Sequence, residues 1–118
     1  MHELSIVEAL IDQVGKELER AGQPGRVLRL ELSIGRLSGV CPESIRFAFG
    51  LIAQGTPVEN AEVVIEEPKA VCQCHDCSAR TEIDDLVVQC PQCGSGEIVI
   101  EGGRELVLQS IEVEELTP

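Results

Sequence analysis

At 118 residues the chain is about one domain long, and its 43% hydrophobic content suffices for a core that must be aliphatic, since it has two Phe, no Tyr and no Trp. Its net charge of −12 argues against nucleic acid, because affinity for a phosphate backbone comes largely from Lys and Arg and no aromatic platform exists for unpaired bases. No apolar run reaches the roughly 18 residues of a membrane span and no signal-peptide pattern opens the chain, so the expectation is a cytoplasmic protein without a membrane partner.

Leu4, Val7, Leu10, Ile11, Val14 and Leu18 recur at three- and four-residue steps and predict an amphipathic N-terminal helix. Acids sit early (Glu3, Glu8, Asp12) and bases late (Lys16, Arg20), the order the helix dipole favours. Gly22 and Pro24 end it. Leu28, Leu30, Leu32 and Ile34 then alternate with Arg29, Glu31 and Ser33, which predicts a half-buried strand.

Pro42 opens a second predicted helix with Ile45, Phe49 and Ile52 on its apolar line and Ala48 and Leu51 beside it. Gly55-Thr56-Pro57 stops it, and a strand follows over 61–66 with Val63 and Ile65 on one face. After the cysteine-rich stretch, Ile98–Ile100 predicts a short strand and 105–114 a final one. In that last strand Leu106 and Leu108 have the opposite parity to Ile111 and Val113, so a one-residue bulge near Gln109-Ser110 is expected.

Between these elements stand Cys74-His75-Asp76-Cys77 and Cys90-Pro91-Gln92-Cys93. Two C-x-x-C pairs at this separation have the spacing of a four-thiolate zinc site, closed and therefore structural. Residues 81–88 are too short and too polar to carry a core, so the metal is expected to stabilise the module. Cys72 is an alternative to Cys74 as ligand. His75 falls within the first pair, where exposure is the usual state, and Cys41 precedes the second helix.

Met1-His2-Glu3 is a second candidate metal site. His is too bulky for routine removal of the preceding Met, so the amine is expected to stay on Met1. That amine, the backbone nitrogen of His2 and its imidazole close adjacent chelate rings of nitrogen donors, a set that suits Ni²⁺ or Cu²⁺ better than Zn²⁺. Glu3 adds a further candidate donor, or else it favours the helix start as an acid. No nucleophile–base pair, phosphate loop or open His-rich zinc site is present, which argues against an enzyme.

Five stretches in order carry a family resemblance: Met1-His2-Glu3-Leu4-Ser5-Ile6-Val7; Ile34-Gly35 with Leu37-Ser38-Gly39; Gly55-Thr56-Pro57; the knuckle pair with Cys90-Pro91 and Cys93-Gly94; and Ser110-Ile111-Glu112-Val113. Over nearly its whole length the chain resembles the HypA/HybF family of nickel metallochaperones for [NiFe]-hydrogenase maturation. The resemblance implies nickel bound through His2, with Met1 and Glu3 as candidate further ligands. It implies zinc held by Cys74, Cys77, Cys90 and Cys93, and a HypB GTPase and the hydrogenase large subunit as partners, with urease served by some members.

The implied fold is α+β: two helices on a three-stranded sheet, with a small inserted zinc-ribbon-like Cys₄ module. The expected division is 1–69 plus 103–118 for a nickel-binding domain and 70–102 for the zinc module, in a monomer or weak homodimer. The competing reading is a zinc-ribbon adaptor for a protein or nucleic-acid partner, with no nickel role.

Overall fold

The computed structural model describes residues 2–22 and 25–114, with the side chain of His2 outside the described residues. The first helix, α1 (His2–Arg20), buries Val7, Leu10, Val14 and Leu18 and half-buries Leu4 and Ile11, the stripe read from the sequence. Lys16 pairs with Asp12 at 3.1 Å and Arg20 with Glu17, both one turn apart on the exposed face. The helix stops at Gly22 (φ +64°), where the N–H groups of Ala21 and Gly22 reach back to the carbonyls of Glu17 and Glu19.

The strand β1 (Val27–Ile34) buries Leu30, Leu32 and Ile34, as the alternation predicts. Leu28 departs from it. It is 46% exposed, and Val27 is buried in its place, its N–H tied to the Pro57 carbonyl at 2.9 Å. The second helix, α2 (Pro42–Ile52), starts on proline as expected and buries Ile45, Ala48 and Phe49. Leu51 lies outside that face and, with Phe47, is exposed. The strands β2 (Glu62–Glu66) and β6 (Leu106–Val113) flank β1 in a three-stranded sheet of order β2-β1-β6. Along β6, Leu108 and Ile111 are half-buried while Gln109 and Ser110 between them are both exposed, which is the phase slip that the sequence parity requires.

The cysteine-bearing stretch contains a second antiparallel sheet, of which the sequence reading found only the last strand. Its centre is β3 (Ala70–Cys74), flanked by β4 (Arg80–Ile83) and β5 (Ile98–Glu101). Ala70 pairs with Ile83 and Cys74 with Ile98. Ala70, Cys72 and Cys74 share the buried face of β3. Around Ala70, Cys72 and Ile83 pack Leu37, Val87, Ile98 and Ile100, a small core.

Contacts gather the chain into two compact units: Met1–Leu32, Val40–Ile65 and Leu108–Pro118 in one, Ser33–Gly39 and Glu66–Val107 in the other. The second unit is wider than the cysteines alone suggest, because the loop after β1 belongs to it. Arg36 N–H donates to the Pro68 carbonyl (3.0 Å) and Gly35 N–H to the Glu105 carbonyl (2.8 Å). The Arg36 guanidinium meets Asp84 at 3.3 Å, and Lys69 joins the same carboxylate at 3.5 Å. The two-helix, three-stranded architecture with a cysteine module agrees with the fold class read from the sequence.

Candidate metal centre

The sulfurs of Cys74, Cys77, Cys90 and Cys93 all lie within 4.8 Å of one another. Cys74 and Cys93 are 3.6 Å apart and Cys77 and Cys90 3.7 Å. Zinc–thiolate bonds of about 2.3 Å place tetrahedral sulfurs about 3.8 Å apart, so these separations fit one zinc ion. They are far from the bonded distance of about 2.05 Å, and all six cysteines are free thiols.

Two copies of one local structure build the cluster. Cys74 N–H donates to the Ala79 carbonyl (3.0 Å), and Cys90 N–H donates to the Ser95 carbonyl (2.7 Å), each five residues on. Cys77 N–H points at Cys74 Sγ (3.4 Å), and Gln92 N–H at Cys90 Sγ (3.3 Å). Each knuckle then turns on a left-handed residue one place after its second cysteine. That residue is Gly94 (φ +79°) in one and Ser78 (φ +64°) in the other. Only Ser78 bears a Cβ there, at a cost of about 1–2 kcal/mol. Ser78→Gly is therefore expected to strengthen the zinc-bound unit by about 1 kcal/mol after glycine's own entropy cost. Competition with a chelator should show zinc held several-fold more tightly, and weaker retention would refute the strain argument.

The electrostatics call for a cation. The backbone N–H of Cys93, aided by that of Gln92 and opposed by burial, draws the Cys90 thiol down to about 7. The Ser95 N–H favours the Cys93 thiolate too, but the neighbouring Cys74 thiol, burial, Cys77 and Cys90 outweigh it and push Cys93 up to about 12. One proton leaves readily and a later one is strongly held. A divalent ion at the centre removes that conflict, since it binds thiolates and releases their protons.

Cys72 lies in the small core and not in the four-sulfur cluster, and burial raises its thiol above the ordinary value, with Cys90, Cys74 and Cys77 adding to the effect. His75 is exposed, and its N–H donates to the Glu97 carbonyl at 2.9 Å. Cys41 is the exposed residue preceding Pro42 at the start of α2. The Ser44 hydroxyl, then the Ser44 backbone N–H, hold its thiol below the ordinary value against partial desolvation and the Glu3 carboxylate. Glu3 is half-buried in the first turn of α1, where with Leu4, Ser44, Phe47, Ala48 and Leu51 it lines a cleft of about 80 Å³. Met1 and the His2 imidazole lie outside the described residues. Sequence reasoning missed Asp76 and Ser95: the Ser95 hydroxyl donates to the Asp76 carboxylate, joining one knuckle to the other. The only sequence signal was their place, one inside a C-x-x-C pair and the other two residues beyond one.

Comparison with known proteins agrees with this arrangement. Residues 1–113 match the family model described as hydrogenase/urease nickel incorporation, metallochaperone, hypA. The hydrogenase maturation factor HypA of Chlorobium limicola is 44% identical over 115 residues, covering 98% of each chain. That of Chlorobaculum tepidum is 39% identical over 114 residues, covering 97% of this chain and 100% of its own. Among solved structures, the nickel metallochaperone HypA from Helicobacter pylori superposes with a TM-score of 0.64 at 26% identity, covering 94% of this chain and 96% of that one. A second HypA solution structure gives 0.67 at 27% identity, covering 97% of each. The chain belongs to the HypA family of nickel-incorporation metallochaperones, which are carriers of a metal and not enzymes.

Proposed function

We propose that the chain takes up Ni²⁺ at its N-terminus and delivers it to the large subunit of a [NiFe]-hydrogenase in the cytoplasm, with a HypB-type GTPase as partner. The donors in this reading are the Met1 amine, the backbone nitrogen and imidazole of His2, and the nitrogen or carboxylate of Glu3. The unit holding α1 and α2 then carries the cargo, and the unit built around the four cysteines holds zinc. Among the described residues no helix is long and apolar enough to cross a membrane.

The observation that supports the nickel assignment is that the nickel-incorporation family match begins at residue 1 and so takes in His2 and Glu3. The helix α1 begins at His2. The first four N–H groups of a helix have no carbonyl partner within it, so the backbone nitrogens of His2 and Glu3 can ligate a metal without breaking a helix bond. Adjacent nitrogen donors of this kind favour a planar site, suited to Ni²⁺. Such ligands at a chain end can be replaced one at a time, as a handover requires. The closed four-sulfur cluster cannot release its ion that way.

The test is a nickel titration read by absorbance, with the zinc content measured in parallel. Residues fused before Met1, or His2→Ala, should weaken nickel binding at least about tenfold, a loss of roughly 1.4 kcal/mol or more. Zinc should stay at one ion per chain in both variants. Unchanged nickel affinity in the extended chain would defeat the N-terminal site, and a lack of nickel binding by the unsubstituted chain would favour a zinc-ribbon adaptor.

A further inference from the structure

The two knuckles are joined by a ring of hydrogen bonds that includes no sulfur. The Ser95 hydroxyl donates to the Asp76 carboxylate and accepts the Glu97 N–H at 3.0 Å. The Glu97 carbonyl in turn accepts the His75 N–H at 2.9 Å, which returns the ring to the first knuckle. Ser95 is also fixed to its own knuckle. Its carbonyl accepts the Cys90 N–H at 2.7 Å, and its N–H faces the Cys93 sulfur. The hydroxyl is thus placed by three backbone contacts before it reaches across to Asp76.

Asp76 is exposed and fills no space in a core. In sequence it lies between two cysteines of the cluster, and its hydrogen bond from Ser95 reaches across to the other knuckle.

From this geometry we infer that Asp76 and Ser95 are positioning residues. They latch the two knuckles in the tetrahedral arrangement, so that the cluster keeps its zinc and refuses the nickel cargo. Zinc leaves more readily once one pair of sulfurs separates from the other. Nickel prefers a planar set of ligands, which these sulfurs supply only if one pair swings relative to the other. Both movements pull Asp76 away from Ser95. A carrier that handles nickel at one site and needs zinc at another gains discrimination from such a latch. The inference rests on zinc in the cysteine cluster and does not require the nickel site to be at the N-terminus.

The experiment uses the full zinc-loaded chain and a chromogenic chelator. Groups that orient metal ligands from outside the ligand set typically alter metal affinity 10- to 100-fold. Asp76→Ala and Ser95→Ala are accordingly expected to lose zinc about tenfold faster than the unsubstituted chain. The double variant should be no faster than Ser95→Ala, since both changes remove the same bond. Asp76→Asn should stay near the unsubstituted rate, because its amide oxygen still accepts the Ser95 hydroxyl. In excess nickel, the alanine variants should gain sulfur-to-nickel charge-transfer absorption, which the unsubstituted chain and Asp76→Asn should lack. Zinc loss unchanged in Asp76→Ala, or Asp76→Asn as fast as Asp76→Ala, overturns the latch. Charge-transfer absorption of equal strength in the unsubstituted chain overturns its role in metal choice.

Discussion

Removing zinc, by chelation or by Cys90→Ser, should unfold Ser33–Gly39 and Glu66–Val107 while α1 and α2 stay folded. Among the described residues, the core of that unit away from the metal ligands is a small cluster of buried Ala70, Cys72 and Ile83 with four half-buried side chains around it, and Ile34 is buried at the end of β1. At about 1.5–3 kcal/mol for each large apolar side chain buried, these residues contribute several kcal/mol. So small an apolar contribution leaves a thin margin against the conformational entropy lost on ordering the unit. Structural zinc contributes about 10–16 kcal/mol in small Cys-rich modules, enough to decide between folded and unfolded. The first unit has a larger core of its own, including Val7, Val14, Leu30, Leu32, Ile45 and Phe49, and needs no metal. Amide exchange distinguishes the outcomes. Protection should vanish from β3, β4 and β5 in the metal-free chain and persist in α1. Native protection across β3–β5 without zinc would show that the apolar core suffices by itself.

The same contrast explains which parts of the fold were legible in the sequence. The helices were, because Val7, Leu10, Val14 and Leu18, and again Ile45, Ala48, Phe49 and Ile52, repeat at the helical period and their burial drives the packing. The phase slip along β6 was legible for the same reason, since its half-buried residues Leu108, Ile111 and Val113 are apolar. The strands β3 and β4 were not. On β3 the inward set is Ala70, Cys72 and Cys74, and two of those three read as metal chemistry and not as a core face. On β4, Arg80, Thr81 and Glu82 give almost no apolar signal, and the strand forms because β3 lies beside it. Leu28 misled because an alternating apolar residue at the mouth of a strand need not face inward when its neighbour Val27 takes the buried place. The four-cysteine cluster was legible from spacing alone, because the chelation geometry is local to each knuckle. The Asp76–Ser95 bond was not, since it depends on how the two knuckles face each other.

Gly35→Ala should cost about 3 kcal/mol or more, a large effect for the addition of one methyl group. A Cβ on Gly35 would lie 2.2 Å from both the carbonyl carbon and oxygen of Gly103 and 2.7 Å from the Arg104 nitrogen. These are backbone atoms with no rotamer to change. The strand of chain they belong to cannot retreat either, because Leu37 N–H donates to the Gly103 carbonyl at 2.6 Å and Gly35 N–H to the Glu105 carbonyl at 2.8 Å. Gly103 is itself pressed from the other side: a Cβ there would meet the Ala70 Cβ at 2.6 Å, and its φ of +77° already disfavours a side chain. Gly35, Gly103 and Ala70 thus form a stack of backbone in which each small residue makes room for the next. Gly103→Ala should be at least as damaging as Gly35→Ala. Gly50→Ala is the control. It lies inside α2 with open space around it, where alanine is favoured over glycine by about 0.8–1 kcal/mol. Denaturant unfolding of the zinc-loaded chain, followed through the amides of β3–β5 for Gly35→Ala and of α2 for Gly50→Ala, should show shifts of opposite sign. A mild effect at Gly35, within about 1 kcal/mol of the unsubstituted chain, would mean that the loop at 33–39 can part from Gly103 without loss. The close backbone contact that ties this loop into the cysteine unit would then not contribute to its stability.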